Sequence, residues 1–342
     1  MSNWFSRLAL TTDLAIDLGT ANTVVAVRGQ GIVLDEPSVV AIRKGSRPTK
    51  VQAVGREAKD MLGKTPAAIK AIRPMREGVI SDVDVTEEMI RRFIEKAVGR
   101  RPLRARMLIS VPAGITQVER KAVRDAALKA GVKEVHLIEQ PMAAAIGAGL
   151  PVSEPRGSMI VDIGGGTTDV AVISLGAMAT EYTLRTAGDA MDLAIQQFIR
   201  ERKGILVGLP TAEKIKMKIG SAHPLEDELE MDVRGRDALQ GVPRSEVVTS
   251  VDVREAISGC IAEIDQAVRK VLEETDPELA SDLMEHGILL AGGGSQLLGL
   301  DAHLTEVTQG LKVRCAETPL HAVVHGVLVA LEQLDTYRDL LQ

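Results

Sequence analysis

The feature that most constrains this chain is a motif that occurs twice. LAIDLGTANTVVAV stands at 14–27 and VDIGGGTTDVAVISL at 161–175. Aligning Asp17 with Asp162 places Gly19 on Gly164, Thr23 on Thr168, Ala26 on Ala171 and Val27 on Val172. Each copy is an apolar, β-branched run, then Asp-apolar-Gly, then a small polar turn and a second apolar run. That is the pattern of two strands joined by a tight hairpin. The two aspartates lie 145 residues apart, about one domain length, so a duplicated domain is expected rather than a short-period solenoid. Taken singly, either turn reads first as a plain hairpin with glycine at positive φ. Neither is a P-loop or a dinucleotide fingerprint, because those need glycines that open a helix, and neither GxxxxGK nor GxGxxG is present.

As a pair the hairpins point to chemistry. Facing each other across a cleft, they would grip one polyphosphate from both sides. Small residues let backbone N–H groups reach phosphate oxygens, and Thr20, Asn22, Thr167 and Thr168 add side-chain donors. A carboxylate beside a bare polyphosphate repels it, so Asp17 and Asp162 make sense with a hydrated Mg²⁺ between them and the phosphates. A third glycine run, in GILLAGGGSQLLGLD, follows a strand and is expected to enter a helix at Gln296. Gly292, Gly293 and Gly294 would let a planar ring or ribose approach, and a helix N-terminus would offer N–H groups to phosphate.

At 342 residues the chain is long enough for two domains with their own cores. Its 45% hydrophobic and 26% charged residues fit a soluble α/β protein. A net charge of −6 argues against a broad basic face for nucleic acid. Cys260 and Cys315 fit no metal-ligand spacing and read as buried small residues of a reducing compartment, so a cytoplasmic location is expected. No apolar window is long enough to span a membrane. Two of the six aromatic residues nevertheless sit side by side in MSNWFSRLAL. Read as a helix, this segment puts Met1, Trp4, Phe5 and Leu8 on one face beside Arg7. That face either docks on the protein's own body or lies on a membrane surface. At ~1.5–3 kcal/mol per buried Trp, Phe or Leu, one copy binds membrane weakly and many linked copies bind well.

Elsewhere IRPMREGVISD reads as a linker, VTEEMIRRFIEKAVG as an amphipathic helix and GRRPLRAR as a basic loop. ITQVERKAVRDAALKAG reads as a helix closed by Gly131, and HLIEQPMAAAIGAGLP as a strand entering an Ala-rich helix. From Ala187 the chain is expected to be largely helical, with a short β-rich insert before a long helix from Val253.

The order of these segments resembles the ATPase superfamily of actin, sugar kinases and Hsp70 chaperones. DLGTANT, EPSVVA, IRPMREGVISD, PMAAAIGAGLP, DIGGGTTDVAVISL, TAEKIKMKIGSA, RGRDALQGVPR and ELASDLMEHGILLAGGG resemble the MreB family of bacterial actins, from about residue 13 to 335. The resemblance implies an α/β, actin-like fold of duplicated ribonuclease H-like domains with four subdomains and ATP with Mg²⁺ in a cleft between them. The expected division is a membrane-binding segment at 1–12, domain I at 13–150, domain II at 151–335 with a small subdomain inserted at about 190–260, and a tail at 336–342.

By position, the resemblance assigns Gly19, Thr20, Ala21 and Asn22, and Gly164, Gly165, Gly166 and Thr167, to the phosphates. It assigns Asp17 and Asp162 to Mg²⁺. Glu213 and Lys216 fall beside the ribose and adenine, although acid and lysine three apart on a helix also make an ordinary surface pair. Gly292 to Ser295 fall at the adenosine. Where the family usually has a catalytic Glu this chain has Gln140, which orients water by hydrogen bonding rather than taking its proton. Gln140 and Thr167 are expected to position the attacking water, with Glu139 as the alternative catalyst and hydrolysis slow and coupled to polymer packing. The implied role is a polymerising structural ATPase, held on the inner membrane by Trp4, Phe5 and Leu8. It would work with wall-elongation and membrane-anchoring proteins to maintain rod shape, and bind no nucleic acid. Two other classes share the fold. A small-molecule kinase needs a carboxylate base aimed at a substrate hydroxyl, and a chaperone needs a peptide-binding domain; neither is found.

Overall fold

Strand β1 (Leu14–Leu18) turns through Gly19–Ala21 into β2 (Asn22–Val27), and the two pair antiparallel with Asp17 opposite Val24 and Leu18 opposite Thr23. This first hairpin belongs to a computed structural model that describes residues 13–45, 50–99 and 105–341. β3 (Gly31–Pro37) continues the antiparallel edge. β4 (Val40–Arg43), β5 (Val51–Val54) and β6 (Ile69–Ile72) form a small separate sheet, with helix α1 (Arg56–Asp60) after β5. The segment read as a linker is instead a minimal hairpin of β7 (Met75–Arg76) and β8 (Val79–Ile80). Its turn residues Glu77 and Gly78 both have positive φ, 49° and 75°, the geometry of a type I′ turn.

The amphipathic stripe forms α2 (Val83–Val98), which buries Val85, Met89, Ile90, Phe93 and Ile94. It starts where the Asp82 carboxylate accepts the Val85 N–H and stops at Gly99 with φ 74°, the two terminators expected of a helix. At ~1.5–3 kcal/mol per large apolar side chain, this face anchors α2 to the sheet. β9 (Arg106–Val111) runs parallel to β1, α3 (Gln117–Lys129) opens with a Thr116–Glu119 capping box, and β10 (Glu134–Glu139) runs parallel to β9. The large sheet therefore has the order β10-β9-β1-β2-β3.

The second half repeats this plan. After α4 (Gln140–Gly147), β11 (Ser158–Ile163), β12 (Thr168–Ser174) and β13 (Ala177–Leu184) form an antiparallel meander. α5 (Gly188–Phe198), β14 (Ile205–Leu206), α6 (Leu209–Ile219), β15 (Glu230–Asp237), β16 (Pro243–Thr249) and α7 (Ser250–Glu274) follow. β14, β15 and β16 make a second small sheet. α8 (Pro277–His286) leads into β17 (Ile288–Ala291), parallel to β11, and α9 (Leu300–Val307) into β18 (Val313–Cys315). The order β13-β12-β11-β17-β18 matches β3-β2-β1-β9-β10 strand for strand, with the same parallel and antiparallel neighbours. The duplication read from two hairpins extends to the whole sheet.

The chain divides differently from the expected boundaries. One unit comprises the described residues through Val111, Ile115–Glu139 and those from Val323 onward, including most of α10 (Ala322–Glu332). The other comprises Pro112–Gly114 and Gln140–Ala322. The border falls at Glu139 rather than 150 because the apolar α4 packs on β11 and β12 of the second sheet. Domain II ends near 322 rather than 335 because α10 returns to the first unit. Each unit has its own core: Leu14, Val25, Phe93, Ile109 and Leu137 in the first, Val161, Val172, Ile215, Ile264 and Leu290 in the second.

Candidate functional site

In the first unit the predicted hairpin turn is built for close approach. A Cβ on Gly19 would stand 2.5 Å from the Asn22 carbonyl oxygen, so only glycine closes the turn. Its backbone is braced by Ser38, a fully buried residue that sequence reasoning passed over inside EPSVVA. The Ser38 hydroxyl donates to the Gly19 carbonyl at 2.6 Å, its N–H donates to the Ala21 carbonyl at 2.9 Å, and the Thr23 hydroxyl lies 2.9 Å from its oxygen. Thr20 is 6% exposed, and its oxygen accepts the Gly78 N–H at 3.1 Å, which leaves the hydroxyl proton to donate. The Asp17 carboxylate is half-buried and accepts the Ser110 hydroxyl at 2.7 Å. Asn22 is exposed.

The second unit gathers more of the predicted residues. Asp162 and Thr167 are buried, at 5% and 6% exposed, and the Gly164 N–H bonds the Thr167 carbonyl at 2.9 Å to close the turn. Behind the turn, the N–H groups of Gly188 and Asp189 donate to the carbonyls of Gly164 and Gly165 at 3.2 and 2.7 Å. The turn's carbonyls are thus taken up by the first residues of α5. Thr168 donates to the Thr186 carbonyl at 2.8 Å.

The third glycine run meets the same strand end. Gly292 has φ 78°, and a Cβ there would lie 2.4 Å from both the Asp162 carboxylate and the Ile163 carbonyl; a Cβ on Gly294 would lie 2.2 Å from the Ile163 side chain. Gly292 is therefore brought against Asp162, and Gly294 against Ile163 beside it. The expected helix start at Gln296 is not found. Gly293–Gln296 is a single 3₁₀ turn, held by the Ser295 hydroxyl on the Gly292 carbonyl at 2.7 Å, and the α-helix begins only at Leu300 after Gly299. The N–H groups of Ser295 and Leu297 are spent within that turn, so it offers shape rather than a helix N-terminus.

Lys216 differs from an open surface pair. Its ammonium donates to the Gly188 carbonyl at 2.7 Å and pairs with Asp192 at 2.8 Å. Burial pushes the Asp192 carboxyl up to about 6 despite that partner, with Glu213 and Asp189 acting in the same direction. Glu213 sits half-exposed one turn before Lys216 on α6. Glu139 ends β10 and pairs with Arg120 at 2.8 Å, both largely buried, while the next residue, Gln140, opens α4. Cys315 is exposed and Cys260 half-buried, so neither is the buried small residue expected. Trp4, Phe5 and Leu8, and 100–104 of the basic loop, lie outside the described residues. A cavity of about 210 Å³, lined in part by Arg156, His286 and Arg314, sits at the opposite ends of β11 and β17 and holds none of the predicted residues.

The donor set fits a metal-bound nucleotide. Each hairpin combines a tight glycine turn, which at Gly19 excludes a Cβ and at Gly164 leaves 3.3 Å for one, with a carboxylate at the penultimate strand position. Among the described residues no cluster of three His, Cys, Asp or Glu could hold a bare metal ion. A cation here would have to arrive with phosphate oxygens and water as ligands, which is how Mg²⁺ is commonly held.

A profile of the family described as MreB/Mbl protein matches residues 11–339. The chain belongs to the MreB/Mbl family. It is 52% identical over 335 residues to the cell shape-determining protein MreB of Escherichia coli strain K12, covering 97% of this chain and 96% of that protein. It is 47% identical over 324 residues to the cell shape-determining protein Mbl of Bacillus subtilis strain 168, covering 94% and 96%. The crystal structure of MreB5 of Spiroplasma citri bound to AMPPNP superposes with a TM-score of 0.91 at 32% identity, over 97% of this chain and 99% of that one. A MamK double helical filament subunit shares the fold, with a TM-score of 0.80 at 23% identity. The MreB/Mbl fold is thus actin-like, as the resemblance implied, and none of these similarities supports the small-molecule kinase alternative.

Proposed function

We propose that this chain is an actin-like cytoskeletal ATPase whose membrane-bound filaments organise cell-wall synthesis and maintain rod shape. The observation that carries the reading is the Asp-Gly hairpin repeated at the end of the central strand in two sheets of identical strand order. The cell shape-determining relatives and the AMPPNP- and ADP-bound MreB5 structures support it.

The turns Gly19–Asn22 and Gly164–Thr167 bind ATP phosphates through backbone N–H groups, the Gly164 N–H staying within its turn, with Thr20 and Thr167 adding hydroxyl donors. Asp17 and Asp162 would hold Mg²⁺, and the ion would supply charge neutralisation of the phosphates. Gly292–Ser295 receive the adenosine, with Glu213 and Lys216 flanking it on α6. Gln140 accepts a hydrogen bond from the attacking water and aims it, while Thr167 holds it from the other side. An amide takes no proton, so the step lacks a side-chain base at this position and is slow until polymer packing fixes the water. Glu139 is set aside as the base because Arg120 engages it. Trp4, Phe5 and Leu8 attach the filament to the inner face of the cell membrane, where wall-elongation and membrane-anchoring proteins join it, and many weak contacts sum along the polymer.

The test is co-sedimentation with anionic liposomes in ATP and Mg²⁺, comparing the full chain with one lacking residues 1–10. The full chain is expected to pellet as lipid-bound filaments and the shortened one as filaments without lipid. Failure of both to polymerise would overturn the reading.

A further inference from the structure

A buried acid behind the second hairpin has no part in the scheme above. α5 begins with its Gly188 and Asp189 N–H groups on the carbonyls of Gly164 and Gly165. Lys216, from α6, donates to the Gly188 carbonyl at 2.7 Å, and Asp192, one turn into α5, holds the same ammonium at 2.8 Å. The packing is tight enough that a Cβ on Gly188 would lie 3.2 Å from the ammonium and 3.3 Å from the Gly164 carbonyl oxygen. The Asp192 and Lys216 side chains are 6% and 16% exposed.

We infer that Asp192 is a positioning residue for nucleotide binding: its carboxylate pins Lys216 to the first carbonyl of α5 and so keeps that helix seated on the carbonyl side of the Gly164–Gly165 turn. The inference rests on the nucleotide reading of that hairpin. Three successive glycines have wide backbone freedom, and hydrogen bonds from behind fix the peptide planes so that their N–H groups stay presented to phosphate. With the clamp open, the turn must be ordered by the ligand itself, and apparent affinity falls by the fraction of chains still competent.

The clamp is pH-sensitive. Burial raises the Asp192 carboxyl to about 6. The groups that face the pair are Asp189 on α5, Glu213 on α6, and Cys260 with Glu263 on α7. Above pH 6 the carboxylate is charged and the clamp closed. Below it Asp192 takes a proton, and Lys216 keeps only the Gly188 carbonyl.

The experiment measures the Kd of a fluorescent ADP with Mg²⁺ at pH 7.5 and 5.5, below the polymerising concentration, for the full chain and for Asp192→Asn, Asp192→Glu and Asp162→Asn. Wild type is expected to weaken by about four-fold from Asp192 alone, the ratio of clamped fractions for a group titrating near 6. Titration of the ligand's own phosphates is common to all chains and cancels between them. Asp192→Asn is expected to bind weakly at both pH values without that extra factor, and Asp192→Glu to restore it. Nucleotide-free melting gives an independent readout. The folded state binds the extra proton between about pH 4 and 6, so this group's contribution to stability falls as pH rises through that window. Asp192→Asn should remove that slope. Equal pH ratios in wild type and Asp192→Asn would overturn the inference, and would do so even if the variant bound and melted less well. If Asp192→Asn does not fold, absence of the step in both wild type and Asp192→Glu overturns it. If wild type binds no nucleotide, or Asp162→Asn binds as wild type does, the nucleotide reading of the hairpin fails, and the inference with it.

Discussion

Gln140 opens α4 while its neighbour Glu139 closes β10 against Arg120, so the two adjacent side chains belong to different elements. Gln140→Ala is expected to slow phosphate release from polymer by about ten-fold, short of the roughly 10²–10⁴-fold that a true acid or base supplies, with nucleotide affinity unchanged. Gln140→Glu should speed release. Single-turnover phosphate assays read both, and unchanged rates in both would remove Gln140 from the mechanism. Ser38→Ala strips two contacts from the first turn and should cost about 1–2 kcal/mol in denaturant unfolding, with a matching loss of nucleotide affinity. The two hairpins were legible in the sequence because their signal is local: an apolar strand, a carboxylate, a glycine two residues on and a second apolar strand. Ser38, Ser110 and Asp192 were not. They act on Gly19, Asp17 and Lys216 from 19, 93 and 24 positions away, and nothing in a short window marks a serine or an aspartate as a brace for a distant turn.

Among the elements, those with strong periodicity appear where the pattern puts them: the two hairpins, α2, α3 and α7. Two misreadings share a cause. IRPMREGVISD forms strands of only two residues, too short for alternation to register, and its turn carries Glu77 at a φ that favours glycine or asparagine. The Gly292–Gln296 segment looks like a helix entrance, but its N–H groups close a 3₁₀ turn instead. Gly292→Ala should be severe, since positive φ and a 2.4 Å approach to Asp162 and Ile163 together cost about 2–4 kcal/mol. Urea unfolding measures it. The start of α7 predicts an acid response of its own. Arg254 and Ser250 hold the Glu228 carboxyl down to about 2. A depressed acid stabilises above its unfolded range near 4.5 and loses that contribution as pH falls toward 2. Carboxyl carbon shifts followed through an acid titration should place the Glu228 midpoint near 2 in wild type and move it upward in Arg254→Ala.

At the scale of the whole molecule, two separate apolar cores predict two unfolding steps. Scanning calorimetry without nucleotide should give a calorimetric enthalpy well above the van't Hoff value, and a ratio near one would show that the cores melt as one. The repeat made the duplication legible, because two matching motifs a domain apart arise most simply when the domain that carries them is copied whole. The true division was not legible, since a chain that leaves a unit and returns to it carries no local mark of doing so. That return has a consequence for how the protein is made. Val324, Val327, Ala330 and Leu331 of α10 are buried and belong to the unit that contains β1, yet the ribosome must first translate all of Gln140–Ala322. At ~5–20 residues per second that takes roughly 10–40 s. Through that interval the amino-terminal unit waits without its last helix while the younger unit folds ahead of it. On the proposed reading, a newborn chain becomes a competent subunit only after α10 has left the ribosome and completed the first unit.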